Sequence, residues 1–370
     1  MNNRILFLVN IDWFFISHRL PLALEALRKG YEVHIVCAIT NKKEHLESLG
    51  LKVHPLSISR SGVGIKGEIK SFIEIYKTIK KISPDITHFV TIKPVLYGGI
   101  ASRFLNISKK VFAISGLGFI FIKQGFKASL IRFIVKRMYQ FALSDKNSYV
   151  IVQNPDDKKI IESIVKTPTF LIRGSGVDLN AYKYFDENNE NIKISMACRL
   201  LKDKGVFEYI EAAKILKNKF KNVEFELYGD IDIHNPASLT ESDIKEIKKD
   251  NIIKVYGFSS DISTVFSNSN IVVLPSYREG LPKVLLEAAA CGRAVVTTDV
   301  PGCRDAIEVN KTGLLCKVKD SNSLAEEIEK LIINRNLRIS MGKAGRELAI
   351  NEFNIKKVIE KHFAIYEGKI

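Results

Sequence analysis

The chain has 370 residues, 46% of them hydrophobic and 26% charged, which suits a water-exposed globular protein with core enough for two domains. Its five scattered cysteines, Cys37, Cys198, Cys291, Cys303 and Cys316, form no CxxC pair and are expected as reduced cytosolic thiols, and no His/Cys cluster has zinc spacing. The net charge of +15 sits in one half: residues 1–175 hold 27 Lys and Arg against 12 Asp and Glu, while the remainder is balanced at 29 and 29. A one-sided excess of this kind calls for an anionic counterpart, whether nucleic acid, anionic lipid or a phosphorylated acceptor.

The chain opens on an apolar strand, Arg4–Val9, with no basic leader or cleavage site, so no secretory signal is expected. No run of 18 apolar residues occurs, so no membrane span is expected. An aromatic stretch, IDWFFISHRL at 11–20, is expected as a loop running into a helix near Pro21–Lys29, with Gly30 behind it. Strands follow at Val33–Cys37, Leu51–Pro55, Ile86–Val90 and Lys110–Ile114, with a helix at Ile69–Ile82 and a loop at Thr91–Pro94. This alternation implies a parallel sheet covered on both faces. Residues 123–143 interleave Phe126, Leu130, Ile131, Phe133, Ile134, Met138 and Phe141 with Lys123, Lys127, Arg132, Lys136 and Arg137. Such a helix either lies on an anionic membrane surface or packs its apolar side on the sheet under a solvated basic face. After strands at Tyr149–Gln153 and Phe170–Ile172, the glycines of Arg173–Asp178 and the polar Asp186–Asn191 mark an interdomain junction.

The second half repeats the rhythm: strand Ile192–Ala197, helix Phe207–Leu216, strands Val223–Tyr228 and Ile253–Tyr256, and a short helix Ile262–Asn268. The stretch 271–305 is the most informative. A buried strand (Ile271–Leu274) leads through a loop holding Glu279 and Gly280 into a helix Pro282–Ala290, capped by Gly292, and on to a second strand Ala294–Thr297. Strand Gly313–Cys316, helix Ser323–Ile333 and a last helix Val358–Tyr366 close the chain. Glu279 before the 282–290 helix and Glu287 within it bracket a helix N-terminus, which attracts phosphate while carboxylates accept hydroxyls. That pairing suits a sugar nucleotide. In MACRLLKDKG (196–205), Arg199 and Lys204 stand at a strand's carboxyl end beside a helix start, where two cations can neutralise a leaving diphosphate.

Taken together, Arg199…Lys204-Gly205, Gly176-Val-Asp178, Tyr228-Gly229 and EGLPKVLLEAAACG with its Glu279–Glu287 spacing resemble the retaining GT-B glycosyltransferases of family 4 over nearly the whole chain. FFISHRLPL, TIKPVLYGG and SGLGFIF are similar to the subgroup acting in capsule, O-antigen and protein-glycan assembly. The resemblance implies an α/β fold of two Rossmann-like domains facing across a cleft, 1–174 completed by a returning helix at about 354–370, and 175–353. It implies transfer of a hexose or N-acetylhexosamine, N-acetylgalactosamine foremost, from a UDP-sugar to an undecaprenyl-diphosphate-linked acceptor. The place of action would be the cytoplasmic face of the bacterial inner membrane, with the enzyme peripheral and touching the anionic surface through 123–143. By the family's pattern Arg199 and Lys204 bind the diphosphate, Glu287 holds the ribose, and Glu279 with Gly280, Leu281, Pro282, Lys283 and Val284 holds the donor sugar. No cofactor or metal is implied.

Acceptor-side candidates are Asp12, His18, Lys93, Ser115 and Gly116; His88 is a further one, expected at a strand end near Lys93. Where the family often carries a histidine this chain has Ser115, so no catalytic base is assigned. Retention needs no protein nucleophile if the leaving diphosphate guides the acceptor. Gly116-Leu-Gly118 lacks the third glycine of a dinucleotide fingerprint, Phe121 standing there, and Asp230-Ile-Asp232 is taken as loop acids rather than a metal site. A UDP-N-acetylglucosamine 2-epimerase-like isomerase would share the fold and donor. Nucleic-acid binding has no aromatic-basic stacking motif behind it and is set aside.

Overall fold

A computed structural model describes residues 3–57, 64–117, 126–187, 191–233 and 235–370. The chain divides into two compact units: Met1–Ser175 with Lys357–Ile370, and Gly176–Lys356. In the first, seven parallel strands line up in the order β3-β2-β1-β4-β5-β6-β7. They are β1 (Arg4–Ile11), β2 (Glu32–Ala38), β3 (Lys52–Pro55), β4 (Ile86–Val90), β5 (Lys109–Ile114), β6 (Ser148–Val152) and β7 (Thr169–Leu171). Their connections carry α1 (Asp12–His18), α2 (Leu20–Arg28), α3 (Lys43–Ser48), α4 (Ile65–Ile82), α5 (Gly99–Ser102), α6 (Phe126–Leu143) and α7 (Pro155–Glu162).

The second unit is a six-stranded parallel sheet, β10-β9-β8-β11-β12-β13. Its strands are β8 (Ile192–Ala197), β9 (Val223–Tyr228), β10 (Ile253–Gly257), β11 (Ile271–Leu274), β12 (Ala294–Thr298) and β13 (Gly313–Cys316). Around them lie α8 (Val206–Lys219), α9 (Glu241–Lys249), α10 (Ile262–Ser267), α11 (Lys283–Ala290), α12 (Ser321–Ile333) and α13 (Arg335–Leu348). The final helix, α14 (Ile355–Glu367), gives most of its length to the first unit.

Strand composition follows from two covered faces. Ile5, Phe7 and Val9 of β1 face one core with α2 and α14, while Leu6 and Leu8 face the other with Ile75 and Ile79 of α4 and Tyr139 of α6. In the second unit β11, IVVL, is buried on both sides at the sheet's centre.

Several expectations change. Residues 12–18 are a short helix rather than a loop, because the buried Asp12 opens a turn at the end of β1 and accepts the N–H of Trp13 at 2.8 Å. The 69–82 helix starts four residues earlier, at Ile65. The segment after Lys93 coils at once, through a π-turn at Pro94–Gly98 into α5, where Gly98 and Gly99 lie too close to Phe89 and Ala142 for a side chain. Helices α3, α7, α9 and α13 went unforeseen; α9, for one, is opened by a capping box of Thr240 and Asp243. Asp186 and Glu187 of the expected junction lie inside the second unit, where Glu187 pairs with the buried Arg338 at 2.9 Å.

Helix α6 buries Tyr139, Ala142 and Leu143 yet leaves Ile131, Phe133, Ile134 and Phe141 about half exposed, beside exposed Lys136 and Arg137. It is therefore apolar on two sides. Lys123 lies outside the described residues, as do the side chains of Phe126, Lys127 and Leu130 and the Gly118–Phe121 stretch. Among the described residues no helix is long and apolar enough to cross a membrane.

His88 is corrected most clearly. It sits in mid-β4, fully buried, hydrogen-bonded to the Tyr366 hydroxyl and stacked on His362 with centroids 5.6 Å apart. Arg19, 3% exposed, joins them with its Nη1 on the His18 carbonyl at 2.9 Å and no carboxylate in ion-pair range among the described residues. Burial lowers the Arg19 guanidinium to about 10, so it stays charged. Burial, then the Arg19 charge, lowers His362 to about 3, and the same two effects hold His88 well below the usual imidazole range. Both rings are neutral in the fold and protonate more readily in the unfolded chain. The contribution of His362 is complete above about pH 6.5 and drains as pH falls toward 3, and His88 acts in the same direction. His362→Phe is expected to flatten the fall in melting temperature between pH 6.5 and 4; an unchanged slope would contradict this assignment.

Candidate active site

The loop between β11 and α11 is held from several sides. Thr297 Oγ1 on β12 donates to the Leu274 carbonyl at 2.7 Å, and Thr298 Oγ1 donates to the Ser276 carbonyl. Ser276 Oγ in turn donates to Glu279 Oε1 at 2.8 Å, and the Glu279 N–H reaches the Pro301 carbonyl at 3.3 Å. Gly302, at φ +83°, packs so closely that a Cβ there would stand 2.4 Å from the Glu279 carbonyl oxygen. Pro282 is the cap of α11 rather than part of its first turn: its backbone is extended (φ −71°, ψ 118°) and the helix begins at Lys283. The N–H groups of Lys283 and Val284 belong to the first turn, whose donors lack intrahelical acceptors. Gly292 ends α11 at φ +69°, under the Tyr184 ring.

The neighbouring strand β8 delivers the cations. After Arg199 the chain makes a 3-10 turn at Lys202–Lys204 and enters α8 through Gly205 at φ +76°. A Cβ on Gly205 would lie 2.2 Å from the Pro275 carbonyl oxygen, and Tyr277 N donates to the Asp203 carbonyl at 2.9 Å. The two loops are thus locked together, and Lys204 Nζ reaches both the charge and an oxygen of Glu279. Burial works against the Lys204 ammonium, but the Glu279 charge and hydrogen bond outweigh it and leave its pKa raised. Arg199, more open, pairs with Asp232 at 3.0 Å; its charge still acts on Lys204. Asp230 accepts the Phe258 N–H at 3.1 Å, so both acids of the Asp230-Ile-Asp232 stretch serve loop contacts.

Glu287, 8% exposed, accepts the Tyr182 hydroxyl at 2.7 Å and lies 3.3 Å from Lys283 Nζ. Burial, then the Glu287 charge, raises the Tyr182 pKa. Arg346 fixes Tyr182 by its carbonyl at 2.6 Å. The structure therefore gathers Arg199, Lys204, Glu279, Gly280–Val284 and Glu287 at the carboxyl ends of β8 and β11. Tyr182, Ser276, Thr298 and Gly302 are not among the residues the sequence singles out for the site; of these only Gly302, following Pro301, carries a turn signal, while Asp232 is the loop acid expected of Asp230-Ile-Asp232.

In the first unit the candidates stand apart in character. Asp12 is fully buried and accepts Thr40 N at 2.7 Å, Thr40 Oγ1 at 2.9 Å and Lys42 N at 3.2 Å, tying the loop after β2 to β1. His18 stacks on Phe14 at 4.1 Å, its Nδ1 3.2 Å from the Phe14 carbonyl. Lys93 pairs with Glu68 at 2.8 Å, and Glu68 also accepts the Tyr97 hydroxyl at 2.6 Å. Ser115 and Gly116, the latter at φ +113°, follow β5 half-buried.

Residues 4–154 match the family described as glycosyl transferase 4-like, and residues 182–348 match glycosyl transferases group 1. The fold is similar to that of a sucrose-phosphate synthase from Thermosynechococcus elongatus (TM-score 0.80, 17% identity, 99% of both chains). It is likewise similar to Anabaena HepE crystallised with UDP (TM-score 0.77, 18% identity, 100% of both chains). These features define a GT-B glycosyltransferase. Within that class the chain belongs to the enzymes that join a glycosyl transferase 4-like domain to a group 1 domain. One relative is the N,N'-diacetylbacillosaminyl-diphospho-undecaprenol alpha-1,3-N-acetylgalactosaminyltransferase of Campylobacter jejuni, 28% identical over 96% of this chain and 98% of its own. Another is the capsular polysaccharide biosynthesis glycosyltransferase CapM of Staphylococcus aureus, 28% identical over 99% and 97%.

The lock between the two loops can be tested apart from chemistry. Gly205→Ala meets both an unfavourable backbone and the Pro275 carbonyl, whereas Gly257→Ala, at φ +79°, has its nearest non-neighbour atom at an ordinary 3.5 Å. Gly257→Ala is expected to cost about 1 kcal/mol in urea unfolding and Gly205→Ala about 3 kcal/mol. Equal costs would show that the loops do not bear on each other through this contact.

Proposed function

We propose that this enzyme moves a hexose or N-acetylhexosamine, N-acetylgalactosamine foremost, from a UDP-sugar to a saccharide carried on undecaprenyl diphosphate, with retention at the anomeric carbon. The observation that carries the reading is the Lys204–Glu279 pair beside the open first turn of α11, with buried Glu287 farther along the same helix. A diphosphate arriving there is met by Lys204, Arg199 and the backbone donors of α11. Glu287 then takes the ribose hydroxyls in place of Lys283, and Glu279 with Gly280–Val284 takes the donor sugar. The bond from the anomeric carbon to the diphosphate oxygen breaks, and the acceptor oxygen bonds on the same face. The acceptor's proton passes to the departing diphosphate. Charge stabilisation and positioning by the cations supply the rate, and no metal ion enters the reading. Support for donor and acceptor comes from the relatives: two are named as undecaprenol-linked sugar transferases, and Anabaena HepE was crystallised with UDP-glucose.

The test is a UDP-sugar panel with an undecaprenyl-diphosphate-linked acceptor, read by mass spectrometry. Transfer from one donor is expected. Epimerisation of the UDP-sugar without acceptor would overturn the reading in favour of an isomerase. Glu287→Ala should weaken UDP binding about 10- to 100-fold by calorimetry, the loss of a charged acceptor being worth about 1.5–3 kcal/mol. Unchanged affinity would remove Glu287 from the ribose.

We further propose that the enzyme works as a peripheral protein at the cytoplasmic face of the inner membrane, resting on anionic lipid through α6. The exposed Ile131, Phe133, Ile134 and Phe141, with Arg137 over the Phe133 ring at 5.2 Å and Arg103 over Phe141 at 4.5 Å, support this reading. Each cation near an anionic surface contributes about 1 kcal/mol. Replacing Lys127, Arg132, Lys136 and Arg137 by Gln should release the protein from phosphatidylglycerol-containing vesicles in a sedimentation assay. Equal binding before and after would exclude α6 as the contact.

A further inference from the structure

The winding of the first sheet reverses between β1 and β4: β2 and β3 are added on one side of β1, and β5 to β7 on the far side of β4. In open parallel sheets the ligand crevice lies outside the carboxyl ends of such a strand pair. Two residues stand there that play no part in the site described above. The parallel register pairs Leu8 with Phe89, and its continuation brings Asn10 level with Thr91.

Both residues are irregular. Thr91 holds φ +74°, a left-handed backbone that a β-branched residue rarely adopts and that the surrounding structure has to enforce. The ladder between β1 and β2 slips between Leu8 and Ile11, the span that contains Asn10; slips of this kind re-aim side chains near active sites. Among the described residues Thr91 Oγ1 and Asn10 Oδ1 are each buried without a hydrogen-bond partner, although the residues themselves are only half-buried. Buried polar atoms are nearly always paired, so two orphans at adjacent strand ends mark a place where a partner arrives from outside. The strand beyond adds the half-buried Ser115 and Gly116, and Thr91 N donates to the Ala113 carbonyl at 3.3 Å.

The chemistry of the partner follows from the charges. Lys93, two residues after Thr91, is paired with Glu68, which also holds Tyr97, and the carboxylate of Asp12, two residues after Asn10, is taken up by the Trp13, Thr40 and Lys42 donors. One amide and one hydroxyl beside charges already engaged suit an uncharged group that both donates and accepts, such as a sugar hydroxyl or an N-acetyl amide. We propose that Asn10 and Thr91 are specificity-determining residues that read a hydroxyl or amide of the acceptor saccharide. A small rotation of each side chain presents its polar atom to the incoming group. The strain at Thr91 is retained because the hydroxyl has to stand at that point. This inference rests on the transferase reading above.

The test uses the full-length enzyme with its glycolipid acceptor and with acceptors lacking one hydroxyl or the N-acetyl group. Thr91→Gly removes the hydroxyl and frees the left-handed backbone; Asn10→Ala removes the amide. Each should raise the acceptor KM about 10-fold or more while UDP affinity, measured by calorimetry, stays within twofold. The melting temperature of Thr91→Gly should be at or above that of the unaltered protein. One truncated acceptor should be penalised by the unaltered enzyme and not by the variants. Unchanged acceptor KM, or discrimination that persists in both variants, overturns the assignment while leaving the transferase reading intact. Absence of any transfer by the unaltered enzyme, with UDP still bound, is instead the failure of that reading.

Discussion

The candidate site of the second unit depends on one close approach, that of Gly205 to the Pro275 carbonyl. Two strands adjacent in the sheet, β8 and β11, each end in a loop, and neither loop alone has a reason to hold a charged side chain in place. Pressed together, they put Lys204 against Glu279 in a setting where water competes poorly for either. Desolvation alone would push the ammonium toward neutrality; the carboxylate reverses that and keeps the side chain charged. Serine and threonine hydroxyls from the 276–298 region then fix the carboxylate and its loop, so the pair is pre-arranged rather than assembled on binding.

Much of this was legible in the sequence, for a physical reason. A parallel strand covered on both faces reads as a continuous apolar run, so Ile271–Leu274, IVVL, falls where its composition puts it, while Val223–Tyr228, VEFELY, is marked by its alternation. The spacing of Glu279 and Glu287 about a helix start is likewise local information. What was not legible is long-range. Tyr182 lies 105 residues from the Glu287 it donates to, and nothing around it differs from an ordinary surface tyrosine. His88 was misjudged because its partners, His362 and Tyr366, arrive from the far end of the chain. Helix α1 was hidden by its aromatics, which read as a loop until the buried Asp12 is seen to open it.

The charge asymmetry also changes meaning on the structure. Most of the basic excess is on the surface of the first unit, but Arg19 is a deeply buried cation surrounded by neutral rings rather than acids. Its Nη1 donates to the His18 carbonyl, and its charge adds to burial in holding both histidines unprotonated. A surface-charge argument from composition counts it with the rest; physically it belongs to the core.

The returning helix has a bearing on how the protein is made. Val177 and Asn354 form a bridge, with Val177 N on the Phe353 carbonyl at 2.8 Å and Ile355 N on the Val177 carbonyl at 3.1 Å, so the two passages of the chain out of the second unit leave side by side. The first unit is complete only with Val358, Phe363, Ile365 and Tyr366, which fill the core beneath β1 and β2. The core shared by β1, β2 and α2 therefore closes only once α14 has been made, whereas the second unit draws on the chain no further than Lys356.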